Sequence, residues 1–126
     1  MTRRAVAGVL ALFTLFNGVS MLVDPGGWFE RIPGVVETGP FNPHFVRDVG
    51  FGFLAAGGAL AAFTWRRGLW PAALAGSAFL ALHALLHLFE MAMGRSHHVG
   101  LDLLLVVLPA ALAVAVSWPT NGVLDA

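Results

Sequence analysis

Long apolar stretches, broken at a few sharply polar points, set the pattern of this chain. The first runs over residues 5–23, directly behind Arg3 and Arg4. It is long enough to span a bilayer, which takes about 20 apolar residues. Asn17 interrupts it and no A-x-A cleavage site follows, so it is expected to stay as a first membrane helix rather than leave as a signal peptide. Asp24, Pro25, Gly26 and Gly27 then stop it, since Pro and Gly are the strongest breakers. Residues 24–42 form the one long connection. Trp28, Phe29 and Ile32 give it an apolar side, which predicts a short interfacial helix or lid near 28–32.

Asn42 before Pro43 reads as a helix start: Asn caps, and Pro lacks a donor that would be orphaned in the first turn anyway. The second span is expected over 43–65. Its Gly50, Gly52, Gly57 and Gly58 permit close helix approach. Arg66, Arg67 and Gly68 turn the chain into a third span at 70–93. Gly94, Arg95, Ser96 and His97 turn it again, into a fourth span at 98–118. Pro109 should kink that last helix, Pro119 ends it, and a short polar tail follows.

Composition agrees with this layout. Of 126 residues, 58% are hydrophobic and 11% charged, with no lysine. A soluble domain carries about 25% charge. A soluble enzyme domain, a nucleic-acid binder and a disordered tail are excluded, and no nucleic-acid partner is expected. Four spans use about 80 residues and leave little beyond short connections. The expected fold is therefore all-α: one transmembrane domain over 1–126, an integral four-helix bundle with a long outer loop between its first two spans. Cysteine is absent, which removes disulfides and thiolate chemistry. Net charge is zero, so where the charges sit matters more than their sum. Arg3, Arg4, Arg66 and Arg67 fall on one side, and Arg31 and Arg95 on the other. That imbalance predicts cytoplasmic N- and C-termini. The lipid bilayer is the expected partner, and a homo-oligomer is compatible with the pattern.

The remaining polar residues gather at the predicted outer ends. The second span carries His44, Arg47 and Asp48. The third carries His83, His87 and Glu90, and the fourth His98 and Asp102. Asn17 and Ser20 lie near the outer end of the first. At 1.5 Å per residue, Asp48, Glu90 and Asp102 lie roughly 5–8 Å inside the span, His87 about 10 Å and His83 about 15 Å. His44 and Asp48, His83 and His87, and His98 and Asp102 are each spaced i,i+4, which puts each pair on one helix face. Intramembrane ionisable groups are costly, turn inward and find partners. The three faces are thus expected to meet under the 24–42 loop.

Such a set suits a divalent transition metal. His44, His83, His87 and His98 would supply nitrogen, and Asp48, Glu90 and Asp102 oxygen. Nitrogen and oxygen without sulfur fit Zn, Fe, Mn, Ni or Cu. With an open coordination position, metal-assisted oxidation or hydrolysis of a lipophilic small molecule follows. Arg47 speaks against a cation. It pairs with a carboxylate, or it holds an anionic ligand group with Asn17 beside it. The alternatives are therefore a metal-free pocket for a small polar-headed ligand or for proton chemistry, a haem held by His44 with His83 or His87, and a structural accessory subunit.

The stretch carrying Glu37, Pro40, Asn42, Pro43, His44, Arg47 and Asp48, with the later His83, His87 and Glu90, resembles a widespread group of small bacterial four-span proteins of unknown function. The resemblance implies a multi-pass protein of the bacterial inner membrane. It implies no activity and no catalytic residue.

Overall fold

The computed structural model describes residues 2–119. The polar tail read from the sequence lies outside them. Helix α1 spans Arg3–Val23, and Thr2 caps it by accepting from the Ala5 amide at 3.3 Å. Asp24 ends α1 and caps α2, Pro25–Arg31, accepting from the Gly27 amide at 3.0 Å. The short helix expected near 28–32 is this one. It starts earlier, because Asp24 before Pro25 is itself a cap-and-proline start. A 3₁₀ turn follows at Val35–Thr38.

Helix α3 is Pro43–Trp65. Asn42 Oδ1 accepts from the amides of His44 and Phe45 at 3.0 and 3.1 Å. Helix α4 is Trp70–Ala92. It closes on Gly94 in the left-handed region (φ 69°), with the Gly94 amide bonded to the Met91 carbonyl and the Arg95 amide to that of Glu90. This is the bond pair of a Schellman stop. Helix α5 is Val99–Ser117. Its segment Leu103–Val107 is a π-helix, with the Leu108 amide reaching back to the Leu103 carbonyl. The irregularity expected at Pro109 takes this form. Proline cannot donate to the carbonyl four residues earlier, and a wider turn just upstream absorbs the defect.

Helices α1, α3, α4 and α5 are all long and apolar enough to cross a membrane. They pack in that order, with α5 returning to α1. Two arginines pin one end. Arg3 donates to the carbonyls of Ala115, Val116 and Trp118, where α5 finishes. Arg4 donates to those of Thr64 and Trp65, where α3 finishes. The last carbonyls of a helix have no partner within it, and a cation there also suits the helix dipole. We call this the arginine end.

The buried apolar core lies in the half toward that end, built from Leu10, Ala11, Leu60, Phe63, Ala73 and Ala113 with their neighbours. Leu12, Phe16, Leu82, Leu85 and Leu104 point outward. The glycines of α3 differ in use. A methyl on Gly50 would lie 2.5 Å from Leu22 Cδ1, and one on Gly57 would lie 2.8 Å from Leu15 Cγ, so both let α1 approach. Gly52 sits under the Phe79 ring of α4, while Gly58 faces open space.

Candidate functional site

The end opposite the arginines holds the histidines and carboxylates, divided into separate groups. The most buried group joins α4 to α5. His87 Nδ1 lies 3.2 Å from Asp102 Oδ1, and the two side chains are only 25% and 17% exposed. Ser96, in the turn between the helices, donates from Oγ to the other carboxylate oxygen at 2.6 Å. The same Oγ accepts from the His98 amide at 3.3 Å. Asp102 is thus held at both oxygens. The carboxylate thus faces the Nδ1 edge of the His87 ring.

One turn deeper, the His83 ring sits 4.8 Å from that of His87, edge to face at 70°. Phe53 and Phe79 frame His83, the first edge-on at 5.6 Å and the second nearly parallel at 6.4 Å. Toward the surface, Glu37 of the 3₁₀ turn lies 3.7 Å from His98 Nε2 and 3.9 Å from His97 Nε2. These side chains form two groups, Glu37 with His97 and His98 near the surface and Ser96, Asp102, His87 and His83 below, joined through the His98 backbone amide bonded to Ser96.

The seven residues expected to share a metal are not gathered. Among the described residues, no group of three or more His, Asp or Glu is placed to hold an ion. Equal depth is not a common face. His44 pairs with Asp48 at 3.2 Å on the outward side of α3, where the two are 87% and 56% exposed. His98 turns to Glu37 instead of following Asp102 inward. Among the described residues the Glu90 side chain has no hydrogen-bond or ion-pair partner. His44 and His83, named for the haem alternative, differ in setting, His44 on the outward side of α3 and His83 packed against Phe53 and Phe79. His44 precedes Phe53, the residue packed on His83, by about 13 Å along α3.

Arg47 does not pair with a carboxylate among the described residues. Its Nε donates to the Leu22 carbonyl at 3.3 Å, capping the end of α1. Asn17 accepts from Trp28 Nε1 at 2.8 Å and so ties α2 to α1. Asp24 and Arg31 close α2 with an ion pair at 3.0 Å. The Gly27 amide, with Arg31 second, holds the Asp24 carboxyl below its ordinary value of 3.8.

Ser96 and Glu37 escaped sequence reasoning as members of the site. Ser96 carried a weak signal, a serine just past a glycine turn and six residues before an aspartate. Glu37 carried none, because its meeting with His98 depends on how the 24–42 segment folds back.

No protein-family model, no curated protein and no solved structure matches this chain. The site is therefore read from its own chemistry.

Proposed function

We propose that this chain is a four-span integral protein of the bacterial inner membrane, with its arginine end and both termini cytoplasmic. In this reading it binds a small lipid-soluble ligand beside His83 and exchanges protons between that ligand and the outer face. The observation that carries the reading is the His87–Asp102–Ser96 set at the α4–α5 junction, with the His83 ring edge to face with His87 one turn below. Chains of Asp and His within membrane helices characteristically relay protons. The relay does not continue inward. Among the described residues, the stretch of the spans between the terminal arginines and His83 holds no ionisable group, and its polar residues include Thr14, Thr64, Ser77 and Ser117. A proton delivered to His83 thus has a bound molecule as its destination, not the far side.

The surroundings of His83 suit such a guest. Phe53 and Phe79 offer flat apolar faces. An open groove of about 460 Å³ between α3 and α4, lined by Gly52, Ala55, Ala59, Ala72 and Gly76, ends at Phe79. It gives a lipid-soluble molecule a lateral path from the bilayer toward His83. The orientation rests on four arginines at one end against Arg31 and Arg95 in the opposite loops.

The test is extraction in mild detergent and native mass spectrometry of wild type, His83→Ala and His87→Ala. We expect wild type to retain a small non-phospholipid molecule that both variants lose while staying folded. A wild type that never carries such a molecule, or variants that keep it, would overturn the reading.

A further inference from the structure

The arginine end holds a second site that the proton relay does not use. A cavity of about 130 Å³ opens there, lined by Thr2, Arg3, Arg4, Phe63 and Arg67. Arg66 adjoins it in sequence. Arg4 is fixed at the rim, its Nε donating to the Thr64 carbonyl at 2.7 Å. Carbonyls do not cancel its charge, and a guanidinium has further N–H groups to offer. The Arg67 side chain has no hydrogen-bond or ion-pair partner among the described residues.

The acidic residues are elsewhere. Asp24, Glu30, Glu37, Asp48, Glu90 and Asp102 all belong to the opposite end, and Asp125 lies outside the described residues. Positive charge is therefore concentrated where the spans finish. Trp65 and Trp118 are exposed at the same level, and tryptophan favours the depth of lipid headgroups. Phe63 gives the cavity an apolar wall.

We propose that Arg4 and Arg67, with Arg3 and Arg66 beside them, bind the phosphate of an anionic phospholipid. Basic pockets between span ends on the cytoplasmic side suit anionic headgroups. The guanidinium fork matches phosphate geometry. An apolar wall continuous with lipid-facing helices favours a phosphate that carries acyl chains over a free ion. The inference rests on the membrane reading above and is independent of the ligand at His83.

The experiment titrates detergent-purified protein with phosphatidylglycerol or phosphatidylcholine and counts bound lipid by native mass spectrometry. Wild type should prefer phosphatidylglycerol at least about fivefold, a single arginine near the surface being worth about that factor. Arg67→Gln should remove about fivefold of that preference, Arg67→Lys should keep most of it, and Arg95→Gln at the opposite end should change nothing. Arg67 caps no helix, so its variants test charge rather than folding. Equal binding of the two lipids, or an undiminished preference in Arg67→Gln, would overturn the proposal. So would displacement of phosphatidylglycerol by equimolar inorganic phosphate, which would mark a free-anion site. Alkaline carbonate washing separates the parent reading: release of the protein from membranes sinks that reading whatever the lipids do.

Discussion

Asp102 Oδ1 on α5 lies 3.2 Å from His87 Nδ1 on α4, although fourteen residues of helix and turn separate the two in sequence. Two consequences follow, one spectroscopic and one energetic. A carboxylate facing Nδ1 is expected to favour the Nδ1–H form of His87, whereas free imidazole prefers Nε2. Nitrogen-15 NMR of the protein in bilayers should show the Nδ1–H form at His87 in wild type and a return toward Nε2–H in Asp102→Ala. An unchanged tautomer in the variant would show that the contact does not orient the ring. In a double-mutant cycle with His87→Ala and Asp102→Ala, unfolding in detergent should give a coupling of about 0.5–1.5 kcal/mol, the range of polar pairs between membrane helices.

The glycines of α3 make a graded prediction. Gly50 and Gly57 press directly on α1, while Gly58 has nothing within 4 Å of an added methyl. Gly50→Ala should destabilise by about 1–3 kcal/mol, the usual cost of overpacking, because Leu22, Met21 and the Gly18 carbonyl all crowd the new carbon. Gly58→Ala should be neutral or stabilise by up to about 1 kcal/mol through helix propensity. Unfolding midpoints in one detergent check both. Equal effects at the two positions would contradict the α1–α3 packing.

These examples show what the residues disclosed in advance. Helix ends were legible because their signals are local: Asn42 before Pro43, Asp24 before Pro25, and Gly94 past an apolar run each act within a few residues. Position along each helix was legible too, since counting residues places His83 one turn from His87. Azimuth was not. Whether Asp48 looks toward α4 or away depends on which face of α3 takes α1, and that was decided by Gly50, Gly57 and the bulk of Leu15 and Leu22. The i,i+4 pairing of His98 with Asp102 failed for a related reason. His98 precedes the first turn of α5 and is free to swing to Glu37.

Asn17 and Trp28 give a third test. Their hydrogen bond, 2.8 Å long and half-buried, is a side-chain tie between α2 and α1. A polar residue in the middle of an apolar run thus ties α2 to α1. Asn17→Leu should leave the four long helices intact and loosen α2. Limited proteolysis should cut within residues 24–42 several-fold faster in the variant, with unchanged helix content by circular dichroism. Identical cleavage rates would show that Asn17 is not what holds α2 down.

The Asp24–Arg31 pair carries a pH dependence whose sign is fixed by its partners. The Gly27 amide and Arg31 stabilise the charged carboxylate, which lowers its pKa from 3.8 in the folded chain. A depressed carboxyl contributes stability above its unfolded pKa and loses it as pH falls through the lower folded value. Asp24→Ala should therefore be less stable than wild type by a constant margin from pH 8 down to about 5, and the margin should shrink below about pH 4. The pair is exposed, so 1 M salt should weaken the part contributed by Arg31 and leave the cap to Gly27 largely in place. Thermal midpoints across this range, with Arg31→Gln alongside, separate the two contributions. Arg31→Gln should show the salt-sensitive part alone, and a wild-type margin that grows toward acid would reverse the assignment of Asp24 as a charged cap.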